Sequence, residues 1–246
     1  MPSLKRSLNL TEVVFFASGV ILGAGIYTVI GKAAGLAGNM LWLSFLFASL
    51  TALFTIFAYA ELASLFPKAG GEFFYVKETL GKKIAYMIGS VVALGGIVAA
   101  ATIALGFSGY FSELLEVPQA ITGLGITGLI LLVNISGIKH SSAFNIVFTI
   151  VEAGGLLFVI FSALPQLGSV NYLEPEEQGL AGILAGAALS FFAFTGFEDT
   201  VKLAEETKEP KTTVPKALFI ASAIVILLYL VITVLAVSAV PYAELG

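Results

Sequence analysis

The sequence predicts an all-α integral membrane protein, and three observations carry that expectation. Hydrophobic residues make up 58% of the 246 and charged residues 11%, with a mean hydropathy of +1.01. Soluble domains use about 45–50% apolar and about 25% charged residues. Seven apolar runs, each near the ~20 residues that cross a hydrocarbon core, follow one another on short connections and leave no room for a soluble domain. Lysine and arginine gather on alternate connections, the pattern of a multi-pass chain. Residues 1–246 are therefore expected to form a single transmembrane domain.

The first span is expected over 11–34. Asn9 followed by Glu12 resembles a capping box, with Asn where Ser or Thr is usual. The run is too long, and too poor in a cleavage site, for a removable signal peptide. The second span covers 40–66 and ends at "FPKAGGEFF", a turn signal that lacks the GxxxxGK[ST] pattern of a nucleotide loop. Spans three to five are expected over 84–111, 120–138 and 142–164. The connection "QLGSVNYLEPEEQ" then carries Glu174, Glu176 and Glu177 without a lysine or arginine, as an outer loop can. The sixth span, 180–203, and the seventh, 214–239, are separated by "EETKEPKTTVP", where Pro210 and Pro215 are expected to end one helix and start the next. With the amino terminus inside, Lys5, Arg6, Lys68, Lys77, Lys82, Lys83, Lys139, Lys202, Lys208, Lys211 and Lys216 all fall on the inner side, and Lys32 alone falls outside. That asymmetry predicts a cytoplasmic amino terminus, and the cell membrane is the expected location. A seven-helix receptor would have its amino terminus outside, contrary to this distribution.

Composition also narrows the chemistry. The absence of cysteine removes disulfides, thiolate metal sites and a catalytic cysteine. His140, the single histidine, is too little for an all-protein transition-metal site. No Ser/His/Asp or metal-hydrolase constellation is visible, so no enzyme, no bound cofactor and no metal site are expected. The bilayer is the expected partner, and nucleic acid is not. The oligomeric state is left open.

Within the first span, "GVILGAGIYTVIG" places four glycines at positions 19, 23, 25 and 31. Each costs a helix interior about 1 kcal/mol relative to alanine. Gly19 and Gly23 form a GxxxG pair, which suits close helix packing. The alternative is a discontinuous helix at Gly23, Ala24 and Gly25, whose freed backbone groups would bind an ionic ligand in mid-membrane. The sixth span tips the balance. In "FFAFTGFEDTVKLAEE", Gly196 interrupts an apolar helix and is followed by Glu198, Asp199 and Lys202. Glycine-broken spans at positions one and six are what a five-plus-five inverted repeat produces, and they point to a site near the midplane.

"GVILGAGIYTVIG", "YAELASLFPKAGGEFFYV", "GFSGYF" and above all "FFAFTGFEDTVKLAEETKEPKTTVPKA" resemble motifs of the amino acid-polyamine-organocation superfamily of secondary transporters. The resemblance runs from about Leu10 to the final "VPYAELG". It implies the LeuT-type inverted-repeat fold with helices one and six discontinuous, here as the first repeat of five helices plus two of the second. It implies transport of an amino acid, with a polyamine or another organic cation as the alternative substrate. The amides of Ala24 and Gly25 would receive a substrate carboxylate, in keeping with the positive end of a half-helix. Carbonyls of Ile21, Phe192 and Thr195 would meet its ammonium, Phe192 would act as an aromatic gate, and Gly23, Ile26, Ala193 and Gly196 complete the lining.

Three acidic positions are candidates beside that site. Glu198 follows Gly196 by two residues and is either functional or a structural hydrogen-bond partner, with Lys202 one turn on as a candidate i,i+4 mate. Asp199 is expected to face a cavity or the inner surface. Glu152 lies ten residues past Ser142, about 15 Å into a core roughly 30 Å thick. It matches the fifth-span position where some proton-coupled relatives carry a lysine, with the charge reversed. It is a candidate to cycle a proton or help coordinate sodium, and a neutral glutamic acid bonded to a helix neighbour is the alternative. Glu61, Glu205, Glu206, Lys208 and Lys211 are expected as interfacial ion pairs and caps. The family core has ten helices and this chain supplies seven, so a front portion of a longer protein is expected. A non-transporting or regulatory module that needs a partner's helices is the rival.

Overall fold

The computed structural model describes residues 6–23, 25–135 and 138–245, and the side chains of all of these except 138–146. Within them the chain is helical, apart from one isolated parallel bridge between Leu8 and Thr207.

Helix α1 (Leu10–Leu22) starts at the expected capping box. The Glu12 amide donates to Asn9 Oδ1 at 3.1 Å, and the Asn9 amide donates to Glu12 Oε2 at 2.7 Å. Two of the donors that a helix start leaves orphaned are thereby satisfied. The helix stops at Gly23, and α2 (Gly25–Ala37) resumes beyond it. A 3-10 turn, Gly38–Met40, leads into α3 (Leu41–Leu65). The turn needs glycine at its start: Gly38 has φ +63°, and a Cβ there would lie 2.6 Å from the Glu176 backbone nitrogen. After α3 come the short α4 (Gly71–Thr79) and then α5 (Lys82–Leu115), α6 (Gln119–Ile135) and α7 (Ile138–Ala163). The sixth expected span divides into α8 (Gly179–Ser190), a 3-10 turn Phe191–Phe194, the five-residue α9 (Phe197–Val201) and a second 3-10 turn, Lys202–Glu205. Helix α10 (Pro210–Ala239) follows, with a 3-10 turn, Tyr242–Glu244, after it.

Two expectations change in detail. The seventh helix begins at Pro210, with Glu209 at φ 48° turning the chain into it, so Pro215 lies inside the helix rather than at its boundary. Proline at the first helical position loses nothing, because that amide has no partner in a helix anyway. Second, five helical stretches are long and apolar enough to cross a membrane: Gly25–Leu65, Lys82–Leu115, Val147–Gln166, Gly179–Glu205 and Pro210–Ala239. The first expected span is cut short at its break, leaving Leu10–Leu22 by itself, and Gln119–Ile135 has 17 residues, a little under the ~20 usual for a span.

The core is built from α1, α2, α3, α8 and α10 packed on one another. Phe45, Leu218, Val225 and Tyr229 have no exposed surface there. Small residues let the helices approach: a Cβ on Gly186 would lie 2.7 Å from Ser44 Oγ, and Ser44 itself donates across to the Ile183 carbonyl at 2.7 Å. By contrast, α5 buries only Ala85 and Ser108 and α6 only Thr122. Their apolar faces are uniform, as helices bordered by lipid can be. At the amino-terminal side, the Ser7 and Leu8 amides donate to the Glu206 carbonyl at 2.9 and 3.0 Å, and the Lys208 amide donates to the Leu8 carbonyl at 2.8 Å. The start of α1 is thus tied to the connection between α9 and α10.

Candidate functional site

The helix ends around Gly23 and Gly25 and around Gly196 lie against each other. On the first, α1 ends at Leu22 and α2 starts at Gly25; the expected role of Ala24 falls outside the described residues. On the second, α8 tightens into the Phe191–Phe194 turn, Thr195 is extended at φ −67° and ψ 159°, and Gly196 takes φ +110° before α9 begins. A Cβ on Gly25 would come within 2.9 Å of Ala193 Cα and 3.2 Å of the Phe192 carbonyl oxygen. A Cβ on Gly196 would come within 2.7 Å of the Val20 carbonyl oxygen. These are backbone atoms that cannot swing aside, so glycine is what allows the two breaks to touch. Gly196 needs it twice over, because its positive φ disfavours any L side chain.

The surroundings separate into a buried frame and a half-exposed lining. Ile21, Ile26, Ala193 and Phe194 are buried, whereas Gly23, Gly25, Phe192, Thr195 and Gly196 keep partial exposure. Phe194 and Tyr229 stack edge-on with centroids 5.3 Å apart, and Phe45 closes the same cluster at 6.2 and 6.1 Å. The cluster packs together the two helix breaks' neighbours on α3, α10 and the Phe191–Phe194 turn.

Each break must dispose of freed backbone groups, since lipid offers no partners. At the first, the Tyr229 hydroxyl, fully buried on α10, reaches the Leu22 carbonyl at 2.8 Å and the Ile21 carbonyl at 3.0 Å. Farther along, Thr28 Oγ1 donates to the Gly25 carbonyl at 2.8 Å and the Tyr110 hydroxyl donates to the Tyr27 carbonyl at 2.6 Å. At the second, the Phe192 carbonyl accepts from both the Thr195 hydroxyl at 2.8 Å and the Thr195 amide at 3.2 Å. The Gly196 amide donates to Glu198 Oε2 at 2.8 Å. Glu198 therefore folds back to cap its own break.

Lys202 pairs with Asp199 and not with Glu198, where the i,i+4 spacing points. Glu198 is turned back onto the Gly196 amide, which leaves Asp199 as the acidic partner of Lys202. Glu152, on α7, is half-buried; its backbone carbonyl accepts from the Tyr27 hydroxyl at 3.4 Å, and its carboxylate lies within electrostatic reach of both Tyr27 and Tyr229. It thus faces the region of the first break. Gly19 packs α1 onto the same helix, for its Cβ would lie 2.7 Å from Thr149 Cγ2. Among the interfacial charges, Lys68 and Glu205 approach to 3.9 Å and remain largely solvated.

Tyr229 is a site residue that the sequence does not single out. Its only signal is one tyrosine in the apolar run "IVILLYLVITV", where a buried hydroxyl demands a partner.

An amino acid permease family model matches residues 8–246. The chain belongs to the amino acid permease family. This is a family of multi-pass membrane permeases and not of enzymes. Similar proteins include the branched-chain amino acid permease BcaP of Bacillus subtilis (strain 168), 31% identical over 98% of the chain and 57% of the relative. The methylthioribose transporter of the same organism is 30% identical over 99% of the chain and 57% of the relative. The vacuolar cationic amino acid transporter 4 of Arabidopsis thaliana is 34% identical over 99% of the chain and 45% of the relative. The chain thus spans about half the length of these curated relatives.

Proposed function

We propose that this permease chain holds the substrate site of a secondary active amino acid transporter of the LeuT-type inverted-repeat fold, working in the cell membrane with a cytoplasmic amino terminus. Mutual packing of the two glycine breaks carries the reading, because it sets the start of one half-helix and the unwound turn of another around one half-exposed lining. Amides at Ala24 and Gly25, at the positive end of α2, bind the substrate carboxylate. The α-ammonium meets the Thr195 carbonyl and, by displacing the present local bonds, the carbonyls of Ile21 and Phe192. Phe192 covers the bound molecule, and Gly23, Ile26, Ala193 and Gly196 shape its walls. Recognition by backbone favours the part common to all α-amino acids, which suits relatives named for branched-chain and for cationic amino acids alike.

Glu152 supplies the coupling. It faces the first break from α7, and a carboxyl group in an apolar bundle can carry a proton across when the site changes sides. Glu198, capping the second break, links its state to the position of α9. The chemistry is binding and alternating access with no covalent step.

The test is uptake of labelled leucine, arginine, a polyamine and methylthioribose into proteoliposomes, with and without proton and sodium gradients, for this chain and for a form extended to the length of its relatives. Amino acid uptake driven by a proton gradient is expected, with Glu152→Gln removing the pH dependence. A pH dependence unchanged in Glu152→Gln refutes the coupling role, and no amino acid uptake by either form refutes the transport reading.

A further inference from the structure

The helix between the second and third spans contacts the far end of the broken sixth span through side chains that the substrate site does not use. The Tyr59 hydroxyl on α3 donates to Glu72 Oε1 on α4 at 2.7 Å. The Tyr59 ring meets Phe197 edge-on, with centroids 5.3 Å apart and planes at 85°. Phe197 is the first residue of α9, directly after the Gly196 break. Beside it, the stem of Lys202 crosses Gly71: a Cβ on that glycine would lie 3.7 Å from Lys202 Cε and 3.9 Å from its Cγ. Gly71 has φ +51°, which turns the chain so that Glu72 follows immediately in the first turn of α4. Lys202 and Glu198 both lie within electrostatic reach of the Glu72 carboxylate, as does the buried Tyr75 hydroxyl.

We propose that Glu72 is a positioning residue of the transport cycle: through Tyr59 and Lys202 it latches α9 against α3 and α4, and the site opens on the amino-terminal side only when this latch releases. The inference rests on the transport reading for its place in the cycle. The physical case rests on three contacts on and beside one short element: Tyr59 with Phe197 on α9, Tyr59 with Glu72, and the Lys202 stem over Gly71. Helix α9 is only five residues long and is flanked by a glycine at positive φ and a 3-10 turn, so little within it resists displacement. What holds it is tertiary. The Tyr59–Phe197 contact supplies apolar area, the Tyr59–Glu72 hydrogen bond orients that ring, and the Lys202 stem packs over Gly71 while its ammonium pairs with Asp199. A hydrogen bond to a charged acceptor is strong enough to hold such a segment and weak enough to break in each cycle.

The 246 residues hold no cysteine, which permits single-cysteine reporters. Thr200 on α9 has no exposed surface, and cysteine is close to it in size. In oriented membrane vesicles, Thr200→Cys is labelled by an impermeant thiol reagent from the amino-terminal side, alone and combined with Tyr59→Phe, Glu72→Ala or Glu72→Asp. Ala221→Cys, fully buried on α10, is the control. Labelling of Thr200→Cys is expected to rise about tenfold in Tyr59→Phe and Glu72→Ala, and to return toward the starting rate in Glu72→Asp, with Ala221→Cys unchanged. Unchanged labelling at Thr200→Cys overturns the latch, and an equal rise at both cysteines shows the pair to be structural only. Uptake by the parent protein is measured in parallel. If labelling responds as expected while no solute is carried, the latch stands and the transport reading falls; the reverse result removes the latch alone.

Discussion

The two breaks solve the same problem in opposite ways. At the first, α1 ends at Leu22 and α2 begins at Gly25, and the carbonyls of Ile21 and Leu22 are met by Tyr229 from a helix far along the chain. The second is drawn out through a 3-10 turn, an extended Thr195 and a left-handed Gly196, and it is capped by its own residues, Thr195 and Glu198. Freed backbone groups in lipid must find partners. A break that supplies its own caps keeps its shape when neighbours move, whereas one capped by another helix changes shape with that helix. The first break is therefore the one whose geometry depends on bundle packing.

Gly196→Ala should have the largest effect on this arrangement. The added Cβ meets the Val20 carbonyl oxygen at 2.7 Å in a backbone with φ +110°, and strain plus overpacking together cost on the order of 4 kcal/mol. A sharp fall in thermal stability with loss of substrate binding is expected; near-native melting would show that the breaks need not touch. Tyr229→Phe comes next. It keeps the aromatic cluster with Phe45 and Phe194 but leaves the Leu22 and Ile21 carbonyls uncapped, a loss of about 1.5 kcal/mol. Stability and affinity should fall together, and a purely structural tyrosine would lower only the first. Thr195→Val should be mildest, about 0.5 kcal/mol, because the Thr195 amide still donates to the Phe192 carbonyl after the hydroxyl is gone. If Thr195→Val cost more than Tyr229→Phe, the second break would be the one dependent on outside support.

The same contrast explains what is readable in the sequence. Local signals are legible: the Asn9–Glu12 box, the pause at Gly23 to Gly25 and the interruption at Gly196 each depend on residues within a few positions. Tyr229 is not, because its role comes from contact with carbonyls more than 200 residues away. Lys202 has a different partner from the one its spacing suggests, because Glu198 is drawn back to cap the Gly196 amide, a contact that helical spacing does not show. The early start of α10 escapes the sequence for a similar reason: two prolines in one stretch read as boundary markers, yet only Pro210 sits where its missing amide is harmless. Glu72 lies hidden in a glycine-rich turn, and its meaning comes only from Tyr59 and α9 meeting it in space.

The claim that the paired breaks read the carboxylate and ammonium of an amino acid by backbone is tested most directly by competition. Equilibrium binding of labelled leucine to purified protein should be displaced by unlabelled leucine and arginine. The decarboxylated amine of leucine and its primary amide should bind at least about 100-fold more weakly, since each leaves the positive end of α2 without an anion. Equal displacement by the amine would contradict the account.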